Sequence, residues 1–537
     1  VVIRAKAPAF LRRPGQDAHQ PAAPVPHRSL GKLDLIDACL VIAVGLAALL
    51  VHDVPYLLQH SFWVDEGWVA DSVRARLGLT PSLTSSTPVG WTVLLRLVPF
   101  GGPQRLRLVP LAFAMLTAAT AYLFGRELRL TRFVTPILTG AAALLSPAML
   151  VRDDLKQYTA EAFCCLVLWV LVARIENEWR LRRLVAIAAV ASVGMLFANT
   201  AIFVGAAAMA SVALECLLMR RFRRLIEVAA ASAGMLAASL AILQTADRRQ
   251  VTHNLVSYWV NYYVPTHSPS AAIRYIGFRL HQLAPYVGFR SLVVDVVLAL
   301  AGVVALLLLR RFALAAMLPM TLVIVIAASA ARKYPFGDLR TSTFWLVAVP
   351  VLMAVAVAAA GYWAAAVSRW APVVAAAVAL AVWVPATDGY IRSHQIPDEN
   401  VHAEVGYVDA HFRPGDVIIV SYGASYAFAY YYPLAQPSFP AGDGPNGHLV
   451  AYPSAAWIVV MHQRRTVDVA YALAAARAEI GAEGGGAHGR IWIVRSHMIP
   501  VEVRAWHRDL AGDQVTTIDV GHDPVLLYLP SRTRAGR

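Results

Sequence analysis

A chain of 537 residues that is 58% hydrophobic and only 15% charged, with mean hydropathy +0.55, is excluded as a soluble globule and reads as a polytopic membrane protein. Its formal net charge of +14 does not point to nucleic acid, because the basic residues fall in short clusters between apolar spans, where they orient a chain in a bilayer. The four cysteines, Cys39, Cys164, Cys165 and Cys216, all lie within predicted spans, so they offer neither a disulfide framework nor zinc spacing.

Residues 1–32 are rich in Pro and Ala and carry Arg4, Lys6, Arg12, Arg13 and Arg28, which predicts a disordered basic tail on the cytoplasmic side. No clear small-residue cleavage site follows the next apolar run, so the first helix is expected to be retained. A transmembrane domain over 33–386 is then predicted to hold about eleven helices, each from an apolar run of roughly 16–25 residues. They fall at 35–56, 106–125, 133–150, 158–174, 183–198, 200–219, 225–243, 291–309, 313–330, 341–365 and 371–386. With the tail inside, the cytoplasmic connections are Gly125–Arg132, Arg174–Arg183, Arg220–Arg224, Leu309–Phe312 and Ser368–Trp370, and every one contains arginine. This threading puts 57–105, 151–157, 244–290 and 331–340 outside. The apolar stretch Pro88–Phe100 is too short to span and is expected to lie on the outer leaflet.

From 387 to 537 the pattern changes to β-rich runs at Asp416–Val420, Ala456–Met461, Arg490–Val494 and Pro524–Leu529. Helical stretches at Val401–Phe412 and Val467–Ile480 lie between them. The expected fold class is therefore a polytopic α-helical membrane protein with a C-terminal soluble α/β domain outside the membrane. There is no solenoid-type repeat.

The chemistry concentrates in the outer loops. Phe62-Trp63-Val64-Asp65-Glu66-Gly67-Trp68 sets two carboxylates among aromatics at the membrane boundary, where an unpaired charge is costly. Asp71, Arg74 and Arg76 follow on what reads as an amphipathic helix. The second outer loop is Val151-Arg152-Asp153-Asp154-Leu155-Lys156-Gln157-Tyr158, and the fourth contains Arg332, Lys333, Tyr334 and Arg340. Span centres are almost free of ionisable groups: Asp295 and Glu161 lie near outer helix ends and Glu215 near an inner one. An ion-coupled transporter needs its ionisable site near the midplane, so the pattern favours chemistry at the outer surface. A carboxylate there can take a proton from an acceptor hydroxyl, and cations can hold a lipid phosphate as it departs, which suits sugar transfer.

Each feature alone has a plainer reading. Asp65-Glu66 could be a solvated helix start, Asp153-Asp154 a charged turn, and Arg332, Lys333 and Arg340 headgroup contacts. Their placement on one face favours a shared site. Gly423-Ala424-Ser425-Tyr426-Ala427 follows a strand but lacks the last glycine of a nucleophile elbow, and His402 and His411 have no evident acidic partner. Gly484-Gly485-Gly486 lacks the lysine of a phosphate loop and reads as a flexible turn.

At these residues the chain resembles the GT-C superfamily of membrane glycosyltransferases, in its protein mannosyltransferase-like and aminoarabinose transferase-like branch. The likeness rests on Asp65-Glu66, Thr87-Pro88-Val89-Gly90-Trp91, Arg107-Leu108-Val109-Pro110, Ser146-Pro147 and Asp154-Leu155-Lys156-Gln157-Tyr158. Tyr334-Pro335-Phe336-Gly337 with Arg340 adds to it, and the soluble domain adds little beyond Gly423-Ala424-Ser425-Tyr426-Ala427-Phe428.

The resemblance implies a polyprenyl-phosphate sugar donor, an extracytoplasmic site in the plasma membrane and inversion at the anomeric carbon. It implies Asp65 as catalytic base with Glu66 beside it, Asp154 as the second-loop acid, and Lys156 and Arg340 as phosphate ligands. Arg332 and Lys333 are further phosphate candidates, with Asp153, Gln157, Tyr158 and Tyr334 in support. Thr87 stands where some aminoarabinose transferases carry a lysine, so the phosphate must be held elsewhere. The acceptor can be a glycan, a lipid or a protein. No cofactor is fixed; the paired-acid loops fit members that use a divalent metal, Mg or Mn, and members that do not. The rival function is a lipid-linked saccharide flippase or transporter without glycosyl transfer.

Overall fold

A computed structural model describes residues 34–75, 87–98, 102–150, 154–247, 253–289, 291–393, 399–439, 449–482, 489–520 and 524–530. The chain divides into two units, Val1–Leu40 and Val41–Arg537. In the first, the described residues begin a helix at Leu35, where Asp34 Oδ1 accepts the Asp37 amide at 2.9 Å. The second holds the helix bundle, the α/β domain and the cluster of charged loops. The predicted basic tail, Asp153, Arg76 and Gly484–Gly486 lie outside the described residues.

All eleven predicted spans contain a helix, and the chain is a multi-pass membrane protein with a C-terminal α/β domain. Among the described residues seven helices are long and apolar enough to cross a membrane: Gln104–Leu128, Tyr158–Asn177, Ala201–Leu218, Phe222–Thr245, Phe312–Ala330, Leu339–Ala364 and Ala371–Gly389. Leu35–Val51, Val134–Leu144 and Leu292–Leu308 are apolar but shorter, and 183–198 is the 14-residue helix Leu181–Gly194. Ser146-Pro147 explains one shortening. Proline lacks an N–H and disfavours helix at the residue before it, so the helix stops at Leu144 and a separate turn, Pro147–Leu150, follows. The arginine-bearing connections are short, and Arg129, Arg220 and Arg310 take left-handed backbone (φ 59°, 54° and 60°) directly after helix ends.

Among the described residues the C-terminal domain has a sheet of five strands in the order β2-β1-β3-β5-β4, with β1 Val417–Val420, β2 Ile458–Val460, β3 Ile491–Val494, β4 Gln514–Ile518 and β5 Val525–Leu529. β1 is parallel to both neighbours, pairing Ile418 with Ile458 and Val417 with Ile491, while β5 runs antiparallel to β3 and β4. β1 and β3 are apolar at every position because both faces are covered. Ile418, Val420, Trp492 and Val494 pack with the Val401–His411 and Ser425–Tyr431 helices; Val417, Ile419, Ile491 and Ile493 pack under Thr466–Ala482 and Pro500–Asp509. The four predicted strands are present. β4 is an addition, an edge strand whose side chains are mostly exposed and whose sequence, Gln-Val-Thr-Thr-Ile, has no apolar face.

One helix joins the two parts. Val64–Arg74 has apolar residues on two faces. Val64 and Trp68 belong to the core of the α/β domain, whereas Val69 and Ala70 pack with Phe62, Trp91, Leu95, Leu155 and Ala160 against the bundle. The spacings 64/68 and 69/70 lie on different sides of a helix with 3.6 residues per turn. Gly67 makes the first contact close: a Cβ built there would lie 2.6 Å from the Ala427 amide nitrogen. Replacing Gly67 by Ala should therefore force the Ser425–Tyr431 helix off its seat. We expect a loss of about 1–3 kcal/mol in thermal unfolding, with faster proteolytic release of the C-terminal domain from intact protein in detergent.

Candidate active site

Glu66 sits at the third position of its helix and is buried. Arg107 grips it with two parallel hydrogen bonds, Nε to Oε1 at 2.8 Å and Nη2 to Oε2 at 2.5 Å. The remaining guanidinium donors reach the backbone of the chain leading into the helix: Leu57 O at 2.7 Å, His60 O at 2.8 Å and Ser61 O at 2.9 Å. Glu66 also accepts the Leu155 amide at 3.2 Å and the Trp63 amide at 3.4 Å. A buried ion pair so fully hydrogen-bonded ties the first loop, the start of the second predicted span and the second loop to one point.

Asp65, one residue earlier, points elsewhere. Its Oδ2 lies 3.5 Å from Arg340 Nη1 and 3.8 Å from Lys156 Nζ, so cations from two other loops meet on one carboxylate oxygen. Lys156 is held in the buried second loop, where its amide donates to Asp154 Oδ1 at 3.3 Å, and its ammonium lies 5.1 Å from the Trp68 ring. Arg340 is set by Asp338, the N-cap of the Leu339–Leu346 helix, whose Oδ1 accepts both the Arg340 amide at 2.9 Å and its Nε at 3.1 Å.

The other predicted residues divide. Gln157 donates to Glu161 Oε1 at 3.4 Å, at the start of the Tyr158–Asn177 helix. Tyr158 is buried beside Arg340. Tyr334 anchors the fourth loop: its hydroxyl donates to Thr341 O at 3.1 Å and its ring meets Phe203 edge-on, with burial pushing its phenol well above the usual range. Arg332 and Lys333 are exposed past the end of the Phe312–Ala330 helix, Arg332 beside Tyr263, and stand outside the ion-pair cluster around Asp65. Among the described residues no group of three or more His, Cys, Asp or Glu side chains is placed to hold a metal ion.

Two further segments supply neighbours of these side chains. The third loop supplies Tyr258, whose hydroxyl accepts from Arg340 Nη2 at 2.9 Å, and Trp259, whose ring lies 5.0 Å from the same guanidinium. The aromatic run Tyr258-Trp259-Val260-Asn261-Tyr262-Tyr263 is the signal that marks them. The α/β domain supplies Tyr426, stacked on Trp68, and Tyr431, whose hydroxyl accepts the Phe62 amide at 2.9 Å. The elbow-like segment is thus a docking helix, and Ser425 Oγ donates to Tyr422 O at 2.8 Å inside it.

No family model matches the chain, and no curated protein matches it in sequence. Among solved structures it is similar to ArnT from Cupriavidus metallidurans bound to undecaprenyl phosphate (TM-score 0.51, 12% identity, 92% of this chain and 97% of that chain). It is equally similar to the apo state of that protein (TM-score 0.51, 13% identity, 92% and 98%). At this identity the likeness shows a shared fold along nearly the whole chain.

Two outcomes follow for stability. Arg107→Met strands a buried carboxylate and should cost about 3–5 kcal/mol in thermal unfolding, while Arg107→Met with Glu66→Leu should recover much of it. Arg107→Lys should not rescue, because one ammonium cannot replace the guanidinium fork. Asp71, on the same helix, is fully buried, and desolvation, partly offset by Arg74, holds its carboxyl well above the usual range. A group raised in the folded state stabilises it below the unfolded pKa and loses that contribution as pH rises through the folded value. Asp71→Asn should therefore match the wild type near about pH 4 and melt progressively higher than it as pH rises.

Proposed function

We propose that the chain is an integral membrane glycosyltransferase that moves a sugar from a polyprenyl phosphate to an acceptor hydroxyl. The carrying observation is the meeting of Lys156 and Arg340 on Asp65 Oδ2, which sets two cations from separate loops, of the kind that can hold a phosphate, beside one carboxylate. The undecaprenyl phosphate bound to the structural neighbour supports a lipid-phosphate donor of this class.

In this reading the donor phosphate draws the ammonium and guanidinium from Asp65 and leaves its carboxylate to accept a proton. The acceptor hydroxyl loses that proton to Asp65, and its oxygen attacks the anomeric carbon as the bond from that carbon to the phosphate oxygen breaks. The leaving polyprenyl phosphate carries the bonding pair, and Lys156 and Arg340 stabilise its charge. A single displacement inverts the anomeric centre. Glu66, with both oxygens engaged by Arg107, orients the helix that presents Asp65. Asp154 orients the second-loop backbone at Lys156. Tyr258 and Asp338 hold Arg340 in place.

The arginine-bearing connections support a cytoplasmic N-terminus in the plasma membrane, which puts Asp65 and the α/β domain outside, where a glycan, lipid or protein acceptor would arrive.

The test is incubation of the purified full chain with a panel of polyprenyl-phosphate sugars, with release of polyprenyl phosphate measured. Asp65→Asn should lower turnover by about 10²–10⁴-fold while leaving the protein folded. Lys156→Met and Arg340→Met should weaken use of the donor. Parallel reactions with EDTA, Mg or Mn test the divalent-metal requirement. Passage of a lipid-linked saccharide across vesicles with no new glycosidic bond would sink the proposal.

A further inference from the structure

Trp68 belongs to two neighbourhoods at once. Its indole lies 5.1 Å from Lys156 Nζ, and it stacks on Tyr426 of the α/β domain with ring centroids 5.8 Å apart and planes 24° from parallel. Both aromatic residues are buried. The ion pair from Lys156 to Asp65 is long, at 3.8 Å, so the ring is a strong constraint on where the flexible four-carbon stem places its charge.

Tyr426 is itself immobilised. Its hydroxyl lies 3.5 Å from that of Tyr422, over whose ring Arg464 sits at 5.2 Å. The carbonyl carbon of Tyr426 would lie 3.0 Å from a Cβ on Gly67, the residue next to Trp68. With the backbones pressed together on that side, the indole has little room to leave the tyrosine ring.

We propose that Tyr426 is a positioning residue for the donor-phosphate site: it holds the Trp68 indole against Lys156, so the C-terminal domain sets where that ammonium points. The inference rests on the reading of Lys156 as a phosphate ligand. It gives the α/β domain a part in donor binding, although no atom of Tyr426 need touch the donor.

The test measures equilibrium binding of undecaprenyl phosphate to the purified full chain in detergent. Lys156→Met should weaken it, and Tyr426→Leu should weaken it by about tenfold, the scale of a desolvated cation–π contact. Tyr426→Phe, which keeps the ring and loses only the Tyr422 contact, should bind more tightly than Tyr426→Leu. On a Lys156→Met background Tyr426→Leu should cause no further loss, because the two act through one contact. If the leucine variant melts too low to assay, Tyr426→His keeps a smaller flat ring and should give a partial loss that again vanishes on Lys156→Met. Wild-type affinity in the leucine or histidine variant overturns the inference, as does a loss that persists on Lys156→Met, or a phenylalanine variant as weak as leucine. If Lys156→Met binds as tightly as the wild type, or the wild type does not bind, the phosphate-ligand reading falls and the inference with it.

Discussion

The Arg107 guanidinium makes contacts in three directions, and the architecture around Asp65 hangs on them. It takes both oxygens of Glu66, the carbonyls of Leu57, His60 and Ser61, and stands over the Phe62 ring. Glu66 passes the restraint on by accepting the Leu155 amide of the second loop. A buried pair of this kind adds little net stability over a well-packed apolar pair, but losing one partner is severe, so its value is geometric. It fixes the rotation of the Val64–Arg74 helix. Because successive residues on a helix point about 100° apart, fixing Glu66 toward Arg107 turns Asp65 toward Lys156 and Arg340.

That same helix is shared property. One face is counted in the core of the α/β domain through Val64 and Trp68, and another is packed on the bundle through Val69 and Ala70. The α/β domain therefore cannot be a tethered accessory. Its docking helix needs Gly67 bare, its Tyr431 caps the Phe62 amide, and Arg74 reaches back to the Tyr430 carbonyl. Removing the domain would uncover apolar residues on the element that carries the central carboxylate. Stability of the domain seat and geometry of the charged cluster are thus a single problem.

The cluster itself is built from parts that each have another anchor. Asp338 and Tyr258 restrain Arg340, the second-loop backbone restrains Lys156, and Gly337, at φ +87°, lets the fourth loop turn tightly against Arg279, where a Cβ would collide at 2.4 Å. These anchors hold the two cations beside Asp65, and partial burial strengthens their attraction to it relative to water. Third and fourth loops are joined directly as well, by the Phe336 amide on the Tyr262 carbonyl at 2.7 Å.

The sequence by itself determined the spans, the change to an α/β domain, four of the five strands and the loops in which the charges lie. Hydropathy, arginine-bearing turns and strand-like runs are local properties that survive being read along a line. β4 escaped because an exposed edge strand needs no apolar face, and four spans proved shorter than drawn because a Ser-Pro break or an early helix end is invisible to average hydropathy. Only the tertiary structure decided that Glu66 belongs to Arg107 and Asp65 to Lys156 and Arg340, that Arg332 and Lys333 stand apart, that Tyr258 meets Arg340 and that Tyr426 stacks on Trp68. Those assignments join residues up to 358 positions apart, Trp68 and Tyr426 being the farthest pair, and depend on which way each helix is rotated. A carboxylate's partner is set by the packing of distant elements, and no local pattern encodes that.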